Sequence, residues 1–136
     1  MELKNQVCTF QQAEILSTYI GKRALNKLRS YFLWDCRKRS PKLIHIESKS
    51  NNISEHPAFN LFRAYNAYSC AELVCIREQI EKIHIEEALN VFSSGLIDKM
   101  QQWYKENPNA PMAHREAQLL IFIFEAKLIN PQDLKL

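Results

Sequence analysis

Glycine is almost missing from this chain: Gly21 and Gly95 are the two in 136 residues, and they lie far apart. A phosphate-cradling loop needs two or three glycines within about six residues, so that backbone N–H groups can close on the anion. Neither a Walker loop nor a dinucleotide-binding fingerprint can be built here. Folds whose purpose is to hold a nucleotide that way are therefore excluded at the outset.

A chain of this length fits one domain, residues 1–136, with a real hydrophobic core. With 46% hydrophobic and 24% charged residues it has the composition of a folded globular protein. The longest apolar run, Leu119 to Phe124, is far shorter than the roughly 20 residues that span a bilayer. The opening Met1-Glu2-Leu3-Lys4-Asn5-Gln6 has no apolar h-region. The expectation is a cytoplasmic protein that does not engage a membrane. Cys8, Cys36, Cys70 and Cys75 contain no Cys-x2-Cys pair, so reduced and mostly buried thiols are expected.

Helix signals are clear at both ends of the chain. Thr9-Phe10-Gln11-Gln12 is a capping box, followed by Ala13, Leu16 and Ile20 at helical spacing and by Gly21 as a stop. Ser69-Cys70-Ala71-Glu72 opens a second helix through Leu73, Ile76 and Ile80. From Ile85 to Tyr104, Ile85, Ala88, Leu89, Phe92, Leu96, Met100 and Trp103 recur every three or four residues. This predicts one bent helix, or two with a break at Ser93-Ser94-Gly95. Asn107-Pro108-Asn109-Ala110-Pro111 ends it, and a last helix is expected over about Met112 to Leu128.

Between the capping boxes the period changes to that of strands. Tyr31 to Cys36 is dense in aromatics and Leu43 to Glu47 alternates, so these two should pair antiparallel through a turn at Arg37 to Pro41. Ser48 to Ser54 reads as a loop, and Arg63 to Tyr68 as a third strand or a helix begun at Pro57. The expected fold class is α+β: a small antiparallel sheet or hairpin packed on several helices, with a helical C-terminal half.

Asn5-Gln6-Val7-Cys8-Thr9 with Gln12-Ala13, Phe32-Leu33-Trp34, the Tyr68-Ser69 step before Ala71-Glu72-Leu73, and the closing stretch Ala117 to Ile129 carry a likeness. Over about half the chain they resemble a group of small uncharacterised proteins from prophage and mobile-element regions of gut bacteria. Ile85 to Tyr104 departs from that group, which tends to have strands there. The resemblance implies an accessory protein with these terminal helices, and implies no activity.

Catalytic constellations are weak. His84-Ile85-Glu86 and His114-Arg115-Glu116 each match half of a zinc deaminase signature, but no Pro-Cys-x2-Cys follows. His45 and His56 read as surface or helix-end residues. Glu78, Glu81, Glu86 and Glu87 read as a solvated helix face, with Glu78 and Lys82 as an i,i+4 pair. No Gly-x-Ser-x-Gly elbow is present. The expectation is a protein without enzymatic activity, metal or cofactor.

Charge is uneven. Residues 1–50 hold ten Lys/Arg against four Asp/Glu, and residues 51–136 hold eight against eleven. Lys22, Arg23, Lys27 and Arg29 precede the aromatic strand, and Arg37, Lys38, Arg39 and Lys42 lie in the turn after it, with Tyr31 and Trp34 between. Cations for phosphates and aromatics for stacking suit a single-stranded nucleic acid. Against that stands the reading of a solvated turn, with Phe32 and Trp34 in the core. The leading expectation is an intracellular binding or adaptor protein, and a nucleic-acid-binding protein comes second. Six bulky apolar residues in a row at Leu119–Phe124 call for either a protein partner, a symmetric homodimer, or near-complete wrapping within one chain.

Overall fold

A computed structural model of the protein describes residues 2–20, 32–45 and 64–134. Gly21 as a helix stop, Tyr31, the 48–54 loop and Pro57 lie outside these residues. Within them are a short 3-10 turn at Leu3–Asn5, α1 (Phe10–Ile20), β1 (Phe32–Asp35), β2 (Lys42–His45), β3 (Ala64–Asn66), α2 (Cys70–Glu86), α3 (Ser94–Glu106), α4 (Met112–Glu125) and a 3-10 turn at Pro131–Asp133. The fold is α+β, with a helical C-terminal half.

The three strands form one antiparallel sheet in the order β2-β1-β3. Trp34 stands opposite both Leu43 and Tyr65, and Asp35 opposite both Lys42 and Ala64. Cross-strand partners share a face, so Trp34, Leu43 and Tyr65 occupy one side of the sheet. Phe10 of α1 meets that side, edge-on to Trp34 at 6.4 Å and to Tyr65 at 5.8 Å between ring centroids.

Both capping boxes form. The Thr9 hydroxyl accepts from the Gln12 N–H, and the Gln12 side chain accepts from the Thr9 N–H, each at 3.1 Å. Ser69 and Glu72 do the same at the start of α2. The segment before α1 is tied to the segment before α2, with the Cys8 N–H donating to the Tyr68 carbonyl at 2.8 Å. This junction brings two sequence-distant helix starts together.

The core lies between α1, α2 and α4. Leu16, Leu73, Ile76, Ile80, Leu120, Ile121, Ile123 and Phe124 are buried there. In the apolar run of α4, Leu119 and Phe122 are half-buried against the same cluster. The other four residues of that run, Leu120, Ile121, Ile123 and Phe124, are buried within the chain. Arg77 of α2 bridges to Glu81 on its own helix and to Glu116 of α4 at 2.8 Å.

The expectation of one apolar face from Ile85 to Tyr104 needs correction. α2 runs on to Glu86, leaving Ile85 77% exposed, and Leu89 is also exposed. The break falls at 87–93, earlier than the Ser-Ser-Gly sequence suggested. Three bonds explain it: the Leu89 N–H reaches back to the His84 carbonyl at 3.1 Å, the His84 Nδ1 accepts from the Val91 N–H, and Ser93 caps α3. Ala88 is left-handed there with φ 53°, and Lys127 takes the same role after α4 with φ 55°. Both are helix ends where glycine is usual, and this chain closes them with residues that carry a Cβ. Lys82 pairs with Glu86, not with Glu78 as expected.

Candidate functional site

Half of the predicted basic cluster falls within the described residues. Lys22, Arg23, Lys27 and Arg29 lie outside the described residues. Arg37 is held by Asp35 through its Nε and Nη2, the shorter contact being 2.7 Å. That contact raises its already high pKa. Lys42 pairs in register with Asp35 and so sits on the sheet face away from Trp34. Lys38 and Arg39 are exposed at the turn and make no ion pair among the described residues. Trp34 is no free stacking platform either. It is half-buried, and its indole N–H donates to the Cys8 carbonyl at 2.9 Å.

Among the concave features of the described residues is a groove of two lobes that share lining residues. One, of about 400 Å³, is lined by Lys4, Asn5, Thr9, Phe10, Gln11, Trp34, Pro41 and His114. The other, of about 340 Å³, is lined by Trp103, Asn107, Pro108, Asn109 and Ala110. Thr9 and His114 line both. Either volume is in the range of sites that take a small ligand or a few residues of a chain. The chain's two tryptophans are divided, one to each lobe.

Gln12 holds the groove together from beneath. Its Oε1 closes the capping box of α1, while its Nε2 donates to the His114 carbonyl at 2.9 Å and to Gln118 Oε1 at 3.3 Å. One amide thus fastens the start of α1 to the first turns of α4. The His114 ring Nε2 lies 3.1 Å from the Lys4 carbonyl and fixes the N-terminal turn against the same helix. On the far wall, Asn107 donates from its side chain to the Trp103 carbonyl, and Arg115 lies over Tyr104 and donates to the Ala110 carbonyl at 2.9 Å.

Below the Trp34 lobe is a buried polar cluster. Burial pushes the Cys8 thiol up to about 12, against stabilisation from the Tyr68 backbone. It also raises the Tyr68 hydroxyl far above its ordinary range, with the nearby Asn66 amide opposing. Within hydrogen-bond geometry neither polar atom of the Asn66 side chain has a partner. A thiol this buried and protonated is a poor nucleophile at neutral pH. Of the other cysteines, Cys75 is exposed and Cys36 and Cys70 are half-buried, so mostly buried thiols are not what the fold gives. The four are free.

No cluster of His, Cys, Asp or Glu suited to a metal ion occurs among the described residues. His84 and His45 are occupied structurally: His84 ends α2, and His45 stacks on Phe32 at 4.9 Å. No described helix is long and apolar enough to cross a membrane. Protein-family models, curated proteins and solved structures give no match to this chain.

The sequence marked Thr9, Gln12 and Trp34 as a cap and a strand aromatic. It held no sign that Thr9 and Trp34 share a groove with Trp103 and His114, or that Gln12 fastens it. The proline-bracketed segment 107–111, which ends one helix and starts the next, was the local signal that a surface feature lies there.

Proposed function

We propose that this protein is a non-enzymatic binding domain whose working face is the two-lobed groove, and that its occupant is a segment of a partner polypeptide. The observation that carries this reading is the groove's composition. Its walls are aromatic and prolyl, with Asn5, Gln11, Asn107 and Asn109 around them. A carboxamide offers both a donor and an acceptor, which is what an extended polypeptide backbone requires. A phosphodiester backbone only accepts.

The groove's titratable lining consists of Lys4 and His114, which gives it binding contacts more readily than acid/base chemistry. Lys38 and Arg39 support a second reading, contact with single-stranded nucleic acid at the turn.

The test is site-specific photo-crosslinking in the native host. A benzophenone side chain replacing the exposed Gln11 should give a discrete protein adduct, and one replacing Lys38 should give little. Nuclease-sensitive adducts from Lys38, with none from Gln11, would overturn the groove in favour of the turn.

A further inference from the structure

We infer that the groove selects an extended, acidic peptide: an apolar or aromatic residue seated beside Trp34, with carboxylates flanking it. This rests on the groove being a polypeptide-binding face, and adds the chemical class of the occupant.

Charge complementarity carries the argument. Among the described residues that line the groove, Lys4 is a cation, His114 is titratable, and none is a carboxylate. Two acids beside these residues are engaged. Glu2 meets Lys4 at 3.2 Å with both side chains well exposed, and Asp35 is bound to Arg37. Past Pro41, which lines the Trp34 lobe, the turn carries Lys38 and Arg39 without ion pairs among the described residues. At the other end, Arg115 is anchored beside Ala110 with its guanidinium over Tyr104. Cations therefore accompany both lobes, and the described lining residues include no carboxylate. An occupant bearing carboxylates finds favourable contacts along the length of the groove, and a basic one finds repulsion.

The Glu2–Lys4 pair does not cancel this. An exposed pair of this sort is worth little and exchanges readily for another carboxylate. The apolar requirement comes from the Trp34 lobe. Phe10 and Trp34 line it with Pro41, a setting that rewards a buried Leu, Pro or aromatic side chain and gives nothing to a charged one.

The division of the two tryptophans supplies the readout. Three pools of blocked octapeptides, each with one central Leu or Phe and with flanks of Glu/Asp, Gln/Asn or Lys, would be titrated into the full chain at low salt. Intrinsic fluorescence would be followed, with calorimetry as a second signal. The acidic pool should bind about tenfold more tightly than the neutral pool, with the gap closing as salt rises through the range that screens exposed charges. Lys4→Glu, and separately Lys38→Glu with Arg39→Glu, should each lower the acidic pool's affinity about two- to fivefold and leave the neutral pool's unchanged. These positions are exposed, so the variants fold. Equal binding of neutral and acidic pools, or preference for the basic one, would overturn the acidic selectivity while keeping the groove as a peptide site. No fluorescence change and no heat with any pool would overturn the peptide site itself.

Discussion

The basic turn and the groove differ in how they are made. The turn is local: Arg37, Lys38, Arg39 and Lys42 fall within six residues of one another, and their charge is visible in the sequence. Folding then engages part of that charge: Asp35 binds Arg37, and Lys42 stands opposite Asp35 on the sheet face away from Trp34, while Lys38 and Arg39 stay exposed. The groove is assembled from the N-terminal turn, the start of α1, β1, and the segment between α3 and α4. Folding creates it.

If the groove is a built structure and the turn a solvated one, changes to the two should have very different consequences. The largest effect expected is alkaline. Below the ordinary thiol range both folded and unfolded chains keep the Cys8 proton, and stability is independent of it. Above about 9 the unfolded chain releases that proton, while the folded chain keeps it to about 12. Stability should therefore fall by roughly 2–3 kcal/mol between pH 9 and 11 from this group. Urea titrations over that interval would show the slope, and Cys8→Ala should reduce it. A stability independent of pH up to 11 would contradict the buried junction beneath the Trp34 lobe.

Next in size is the Gln12 fastening. Gln12→Leu removes one half of the capping box and leaves the His114 carbonyl and Gln118 amide without their shared donor. A loss of about 2 kcal/mol is expected in urea unfolding. The matching change at the turn, Lys38→Gln with Arg39→Gln, should stay within about 0.5 kcal/mol. Similar losses at the two places would erase the distinction between them.

Much of the fold was legible in the sequence, for reasons that are local. Two capping boxes, alternation at β2 and the proline-bracketed segment each act within a few residues, and they mark α1, α2, β2 and the α3–α4 boundary where the structure has them. The end of α2 was not legible. A periodic apolar pattern ran through Ile85, Ala88 and Leu89, and the return bonds from Leu89 and Val91 to His84, with Ala88 left-handed, stop the helix there. Nothing about alanine announces that conformation. Of the site, the sequence showed the cations and Trp34 but not their partners. The second tryptophan lies 69 positions from the first, and only tertiary packing sets both along one groove.

The smallest effects concern that same scarcity of glycine. Ala88→Gly and Lys127→Gly relieve a left-handed Cβ and should each stabilise by about 0.5–1 kcal/mol. Gly95, inside α3, has room for a methyl group, which would meet Ser93 Oγ at 3.8 Å. Gly95→Ala should gain about 0.5–1 kcal/mol. Thermal melts of the three single variants would check both, and a lowered melting temperature in any of them would contradict the local geometry. None of these positions lines the Trp34 or Trp103 lobe, so peptide affinity should not move.

The most direct test of the central claim is an NMR titration that watches groove and turn together. Trp34 and Trp103 give one indole N–H signal each, and Lys38 and Arg39 report on the turn through their amides. With the acidic octapeptide pool, both indole signals should shift as saturation is approached, and with a generic single-stranded oligonucleotide they should not. The contradicting result is the reverse: an oligonucleotide that moves Lys38 and Arg39 strongly, while both indoles stay in place with every peptide pool.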